Sequence, residues 1–448
     1  MIYVLGWLIL LVGVAVSIAL HEVGHLLPAK AFGVKVTQYM VGFGPTVWSR
    51  RRGETEYGIK AIPLGGYVRM IGMLPPRAGD APGRLRSVST GRFSQMMDQA
   101  RADSLEEVGP GDEERVFYKR GPGRKMIVML GGPMVNLLIA AALSTAVITL
   151  GGLPEVAPKV GALAQCLPTA APTVSEPQPQ CVPTDPTAPA AASGLHTKDV
   201  ITSINGRPIT TWDEVTTAIR ANAGKPMTVV VRRGDSTQTL TLTPQPLSRA
   251  VLDAQGKPVT RDGKIVTQTV GFAGITPQQV LVRQPITAAP GFIWDQLSAT
   301  AGVVLKIPQK MVGVAQAAFG SAERDPNGPI SIVGLGRIAG EIAAMEVPAD
   351  EGGNWAKLST FVMLIAGLNL ALFVFNLIPL LPLDGGHVAG AIWEAAKKGW
   401  ARLRHRPDPG YVDVAKALPV AYGVSLVLIT MSVLLIYADI VRPVRLFG

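Results

Sequence analysis

The sequence predicts a polytopic α-helical membrane protein with about four transmembrane helices, a small membrane-associated β-sheet and an extracytoplasmic α+β domain. Hydrophobic residues occupy 48% of the 448 positions and charged residues only 17%, which is more apolar than a typical soluble protein. The mean hydropathy is +0.30. Four apolar segments are long enough to cross a bilayer, at about residues 3–27, 126–150, 358–380 and 417–440.

The distribution of charge predicts the topology. Lys and Arg, which give a formal net charge of +10, cluster between the first and second apolar segments and between the third and fourth. By the positive-inside rule both regions face the cytoplasm, so residues 151–357 and both termini lie outside the inner (plasma) membrane. The basic residues show no pattern of a nucleic-acid module, so we expect membrane lipid, and no nucleic acid, as a partner.

The first apolar segment has two interpretations, a retained span and a cleavable signal peptide. A signal peptide needs a basic start and a short apolar core. The first four residues contain no Lys or Arg, and the run from Tyr3 to Leu20 is about long enough to span a bilayer by itself. We therefore expect the segment to be retained.

That segment leads into His21-Glu22-Val23-Gly24-His25, an H-E-x-x-H motif. On a helix, the i, i+4 spacing places His21 and His25 on one face, where both imidazoles reach one metal ion and Glu22 acts as a catalytic base beside it. The alternative is a chance match with two core histidines. However, each charge inside a membrane costs roughly 2.5 to 3.5 kcal/mol, which favours a functional role.

A second polar motif follows the third apolar segment, where Asp384 precedes two glycines and His387. A catalytic zinc takes three protein ligands and leaves one position open, so Asp384 is the expected third ligand. By itself it would be a turn or capping residue. His387 is either a neighbour of the metal ligands or a structural histidine, and Asn376 either orients the substrate backbone or caps a helix.

Strands within residues 33–45 and 55–70 predict a small sheet, which either dips into the membrane or forms an ordinary cytoplasmic hairpin. Gly66 in its second strand is a candidate for supporting the substrate. An exposed strand there could pair with a peptide.

Asn136 in the second span has two interpretations. It bonds either to the active-site helix or the substrate, or it forms a purely structural bond between helices. Residues 75–120 are expected to form a mobile cytoplasmic loop with a short helix around Phe93 to Arg101.

The predicted domains are 1–150 with the first two spans, 151–245 outside, 246–357 with an appended hairpin and amphipathic helices, and 358–448 with the last two spans. The helices within 290–345 lie either at the outer membrane face or under the soluble domain. Cys166 and Cys181 flank a Pro-rich insertion and form either a disulfide or two free thiols.

Residues 158–163 and 190–242 together resemble a bacterial PDZ domain: small residues before Gly194-Leu195, an alternating strand, an Asn205-Gly206 turn, a helix from about Trp212 to Ala223 and two strands. PDZ domains bind peptides by strand addition. Since the Pro-rich insertion interrupts this unit, a gating role is the alternative.

The whole set of motifs, in this order, resembles the bacterial site-2 protease family of intramembrane zinc metalloproteases, in an actinobacterial form. The resemblance implies that His21, His25 and Asp384 bind one Zn²⁺ and that Glu22 is the catalytic acid/base. It also implies substrates that are single-pass membrane proteins, such as anti-sigma factors, already cut outside by an upstream site-1-type protease.

Two other functions compete with this one. A non-catalytic scaffold with a PDZ-like domain would hold a structural metal, but such a site normally has four protein ligands and only three candidates converge in this chain. A metal transporter would carry ionisable residues along several spans, whereas the second and fourth spans offer none apart from terminal charges.

Overall fold

The structure is a computed structural model that describes residues 2–76, 92–167, 185–251, 259–261, 264–320, 324–325, 328–347 and 353–444. The chain forms two compact units. The first comprises Met1–Leu150, Gln284–Val347 and Gly353–Gly448, and the second is chiefly Gly151–Arg283.

Helices dominate the first unit and strands the second. In chain order, the helices are α1 (Ile2–Ala31), α2 (Arg92–Glu106), α3 (Pro122–Ala146), α4 (Pro189–Ala192), α5 (Trp212–Ala221), α6 (Ala289–Leu305), α7 (Ile307–Phe319), α8 (Ile332–Ala344), α9 (Gly353–Asn376), α10 (Asp384–Leu403) and α11 (Leu418–Val441). The strands are β1 (Val36–Arg52), β2 (Thr55–Met70), β3 (Leu153–Leu163), β4 (Val200–Ile204), β5 (Arg207–Pro208), β6 (Met227–Arg233), β7 (Ser236–Leu242), β8 (Gln245–Ala250), β9 (Thr260–Arg261), β10 (Lys264–Ile265), β11 (Thr267–Phe272) and β12 (Ile275–Val282).

Four helices among the described residues are long and apolar enough to cross a membrane, which confirms the predicted number. They are α1, α3 with the π-helical turn that extends it to Gly151, α9, and α11 with the 3₁₀ turn that begins at Val414. These helices expose large apolar side chains, such as Val12, Leu138 and Leu426, on the faces that do not contact the rest of the protein. This is expected for helices surrounded by lipid. The small predicted sheets are present too.

The strands β1 and β2 are long and fold back on themselves, so that one antiparallel pair makes four adjacent rows of backbone. Residues 36–41 pair on one side with residues 56–59 and on the other with 66–70. Gly42, with φ +95°, and Gly44, with φ +85°, supply the left-handed backbone where β1 bends. Within the described chain no further strand pairs with residues 66–70, so they form a free edge.

A hydrogen bond fixes this sheet to the first span. The Tyr39 hydroxyl donates to the carbonyl of Ala19 over 2.7 Å. Burial raises the pKa of Tyr39 to about 12, so the hydroxyl keeps its proton at neutral pH and remains a donor. The free edge is thereby held beside the part of α1 that carries the histidines.

The second unit contains a sheet in the order β12-β3-β4-β6-β7, with β5 paired to β4. Its core is formed by side chains such as Ile201, Val215 and Val231, and Thr211 and Glu214 form a capping box at the start of α5. The predicted helix and strand pattern of residues 190–242 is present. The strand β12 pairs antiparallel with β3, from Ile275 opposite Leu163 to Val282 opposite Leu153.

Four parts of the chain differ from the sequence-based expectations or lie outside the described residues. The helix expected around residues 93–101 extends to Glu106. Residues 115–117 are not a mobile loop, because Phe117 is buried and its N–H donates to Ile71 O over 3.0 Å. The helix α10 was not predicted. Cys181 and the Pro-rich insertion lie outside the described residues, so the disulfide with Cys166 stays a prediction.

Candidate metal centre

The helix α1 continues without interruption through the H-E-x-x-H motif. The Nε2 atoms of His21 and His25 consequently lie on one face, 3.2 Å apart. Both Glu22 and His25 are buried, with 8% and 6% of their surface exposed. Three polar side chains are thus concentrated within one turn of an otherwise apolar helix.

The third predicted ligand reaches the same place from α10. Asp384 lies in the first turn of this helix, where the helix dipole favours a carboxylate. The two glycines that follow Asp384 continue the helix, and Gly385 serves close packing. A β-carbon there would lie 2.6 Å from Leu377 O, on the segment that leaves α9.

The three side chains present three ligand atoms to a single point. Asp384 Oδ2 lies 3.3 Å from His21 Nε2 and 3.4 Å from His25 Nε2. Tetrahedral zinc with bonds of about 2.0 to 2.1 Å requires ligand atoms roughly 3.3 Å apart. Asp384 Oδ2 is also buried without a hydrogen-bond partner. Such burial of a carboxylate oxygen costs free energy unless a cation binds it. The residues therefore fit a Zn²⁺ ion.

Each imidazole has a partner for its second nitrogen. His25 Nδ1 lies 2.8 Å from the carbonyl oxygen of Val128 on α3, so Nδ1 carries the proton and Nε2 is left for a metal. His21 Nδ1 lies 3.1 Å from the amide nitrogen of Asn136, while Asn136 Oδ1 is buried and has no partner.

A 180° flip of the Asn136 side-chain amide explains both the contact between two nitrogens and the unpaired Oδ1. A His21 that offers Nε2 to a metal has its proton on Nδ1 and needs an acceptor, which the amide nitrogen is not. With the amide reversed, Oδ1 accepts that proton and is no longer unpaired. Amide orientation is assigned from such networks. Asn136 therefore contacts the active-site helix, as one of its two sequence interpretations proposed.

Glycines allow α1 and α3 to pack backbone against backbone beside the histidines. A β-carbon on Gly24 would overlap the carbonyl oxygen of Gly131. One on Gly132 would overlap His25 Nε2 and lie 2.7 Å from His21 Nε2. Small residues permit this approach between membrane helices. No local sequence pattern indicates that the imidazoles are the neighbours of Gly132.

A cavity of about 650 Å³ opens beside these side chains. Gly66, on the free edge of the sheet, faces Glu22: a β-carbon there would lie 2.9 Å from Glu22 Cγ. Asn376 and His387 also face the cavity, so both lie close enough to contact a bound molecule. The remaining lining residues are Ile18, Phe43, Gly65, Tyr67, Val68, Met70, Met73, Met129, Leu372, Pro382 and Leu383.

A membrane-embedded H-E-x-x-H helix with a converging carboxylate defines a metallopeptidase. Comparison of sequences agrees: residues 9–406 match the model of peptidase family M50. The chain belongs to this family, which confirms the resemblance drawn from the motifs. Family membership and the His₂Asp donor set together make it a zinc metalloendopeptidase with Zn²⁺ as its cofactor.

Several zinc metalloproteases are similar over most or all of their length. The zinc metalloprotease Rip1 of Mycobacterium bovis (strain BCG / Pasteur 1173P2) is 33% identical, with all of both chains covered. Rip1 of Mycolicibacterium smegmatis is 30% identical over the same coverage. The zinc metalloprotease RasP of Oceanobacillus iheyensis is 26% identical over 87% of this chain and 90% of its own.

Proposed function

We propose that this enzyme is an intramembrane endopeptidase that cuts single-pass membrane proteins, as a site-2 protease does. The observation that carries the proposal is the convergence of His21, His25 and Asp384 within 3.2–3.4 Å of one another beside an apolar span. Peptide hydrolysis there requires water to reach a buried site, and the cavity of about 650 Å³ provides the space.

In this proposal, Nε2 of both histidines and Oδ2 of Asp384 hold the metal. A Zn²⁺ ion held there would supply the Lewis acidity that activates water and polarises a carbonyl. Glu22 takes the proton of the attacking water and returns it to the leaving amine. Asn136 and the Val128 carbonyl orient the imidazoles through their Nδ1 atoms.

The free edge of the sheet is the proposed site for the substrate backbone. An extended peptide that added to residues 66–70 would gain backbone hydrogen bonds and pass directly beside Glu22. Since Gly66 has no side chain, the peptide can approach the carboxylate closely. Asn376 and His387, which line the same cavity, would also contact the peptide.

The outer unit is proposed to be a PDZ-like domain that gates access rather than one that captures peptides. The strand β3 already has β12 on one side and β4 on the other, so its edge is not free for strand addition. We place this unit outside the cell and the metal near the cytoplasmic face, on the evidence of the basic loops. A gate of this kind would admit substrates such as anti-sigma factors only after an upstream site-1-type protease had removed their outer part.

The test is cleavage of a single-pass reporter by the purified enzyme in detergent micelles, with zinc content measured in parallel. Glu22→Gln should retain zinc and lose cleavage by at least about a thousandfold, since it removes the proton acceptor. Asp384→Ala should lose both zinc and cleavage, and Glu113→Gln, an exposed carboxylate away from the site, should change neither. Undiminished cleavage by Glu22→Gln would refute the mechanism, and stoichiometric zinc without cleavage in the wild type would favour the scaffold.

A further inference from the structure

A second cavity, of about 470 Å³, continues from the metal site along the sheet. Tyr67, Val68 and Met70 at the end of the edge strand, and Met73 just after it, line both cavities. The helix α2 contributes Asp103 and Ser104 to the lining of the second cavity, and the residue after the helix contributes Glu107. We refer to it as the α2 cavity. It forms a continuation of the groove that begins at Glu22.

The helix α2 is tied to its surroundings at several points. Ser104 Oγ accepts a hydrogen bond from the Leu74 N–H over 3.2 Å, and Arg69 Nε donates to Glu107 over 2.6 Å. Arg101 is buried and donates to Asp413, in the segment before α11, over 2.7 Å. These bonds give the α2 cavity a fixed wall.

From this geometry, we propose that the α2 cavity binds the basic segment that flanks the transmembrane helix of a substrate on its cytoplasmic side. The proposal rests on the proposed function, because it extends the peptide that adds to residues 66–70. Such a peptide runs from Glu22 along the edge to Met70 and enters the α2 cavity directly. The region that contains α2 is one of the two basic regions placed in the cytoplasm.

The chemistry of the cavity matches such a segment. Single-pass membrane proteins carry Lys and Arg at the cytoplasmic ends of their spans. These side chains have long apolar stems and a charged end, and Met70, Met73 and Tyr67 offer an apolar surface to the stems. Two carboxylates face the cavity, of which Glu107 is neutralised by Arg69.

Asp103 is therefore the residue that selects for positive charge. Its Oδ1 accepts a hydrogen bond from the Gln99 amide over 2.8 Å, which holds the carboxylate without neutralising it. An ion pair between Asp103 and a substrate Lys or Arg is partly exposed to solvent. It should therefore favour a basic flank over a neutral one by about two- to fivefold.

The experiment uses the full-length enzyme in detergent micelles with three single-pass reporters that differ only in three flanking residues: Lys-Lys-Lys, Gln-Gln-Gln or Glu-Glu-Glu. Wild type should cleave the basic reporter fastest at low salt. Asp103→Asn should cleave the basic and neutral reporters alike, and Asp103→Lys should reverse the order. The preference should also weaken as salt is raised.

Glu106→Lys is the matched control, since Glu106 lies on the same helix and does not line the cavity. It should keep the wild-type preference. The inference is overturned if wild type cleaves all three reporters at one rate, or if Asp103→Lys and Glu106→Lys change the preference equally. If wild type cleaves none of them, the proposed function itself fails.

Discussion

Lys125 Nζ lies 2.7 Å from Glu394 Oε2, and both side chains are almost completely buried, with 7% and 2% of their surface exposed. The bond joins α3, whose Asn136 contacts His21, to α10, whose first residue is Asp384. Lys398 also donates to Glu394, over 3.0 Å. Burial alone would raise the pKa of Glu394, but the hydrogen bonds from the two lysines outweigh it and lower that pKa.

We expect Glu394→Gln to destabilise the enzyme by about 3 kcal/mol, because it leaves Lys125 buried without a counter-charge. Thermal unfolding in detergent measures this, and zinc retention against a chelator measures the effect on the metal site. The double variant Lys125→Met with Glu394→Leu should recover most of the stability, since no charge is then left unpaired. If the single and the double variants were equally unstable, the ion pair would not be the cause.

We expect Gly132→Ala to remove zinc and to lower the rate of cleavage at least about a hundredfold. The new methyl group would occupy the space of both imidazole Nε2 atoms, which must then shift. Gly123→Ala is the control, since it lies in the same helix and nothing lies within 4 Å of its added β-carbon. Metal analysis and reporter cleavage check the pair, and wild-type zinc content in Gly132→Ala would contradict the described packing.

We expect Asn136→Ala to weaken zinc binding by about 10- to 100-fold, as the loss of a partner of a metal-bound histidine typically does. Asn136→Asp retains an oxygen that accepts the proton of His21 Nδ1, so it should bind zinc more tightly than the alanine variant. Competition with a chromophoric chelator gives both affinities. Equal affinities for the two variants would mean that Asn136 does not act through this hydrogen bond.

In the outer unit, we expect Asp199→Asn to reduce stability at neutral pH by about 2 kcal/mol. Asp199 is fully buried and accepts two bonds of 2.7 Å from Arg233 and one from the His196 N–H. Burial raises the pKa of Asp199, but these bonds outweigh it and hold the pKa below its usual value.

Because the pKa is lowered on folding, the stabilisation is complete above the unfolded-state pKa of about 3.9 and is lost as the pH falls through the lower folded-state pKa. The difference between wild type and Asp199→Asn should therefore shrink in acid. Hydrogen exchange in β4 and β6 between pH 7 and pH 3 follows it. A difference that stayed constant with pH would exclude the carboxylate charge as its origin.

Local sequence patterns were sufficient for the four spans and for the helix that carries His21 and His25, because each depends only on neighbouring residues. The pairing of Asp384 with them followed from chemistry, since each motif lacked what the other offered. The partner of His25 could not be predicted, because a backbone carbonyl such as that of Val128 has no sequence signature. The same is true of the bond between Asn369 and Ser17, which joins α9 to α1 over 3.0 Å.

Two features of the site depend on contacts between distant segments. The glycines after Asp384 suggested a turn, but at Gly385 the absence of a side chain serves packing against Leu377, and α10 begins there. The free edge of the sheet also depended on register, since only the pairing of Val41 with both Gly66 and Ile59 shows which segment is outermost. Contacts between distant segments decide both features, and a linear pattern does not contain them.

The contact between Gly24 and Gly131 has a consequence for how the enzyme can move. Because the backbones of α1 and α3 are in contact there, neither a lipid tail nor a polypeptide fits between the two helices. Separating the helices would also break the hydrogen bond between His25 and the Val128 carbonyl. The contact between α1 and α3 therefore keeps the imidazole of His25 in place. If the proposed function holds, a membrane-embedded substrate must therefore enter from another side, where the sheet and α9 border the cavity.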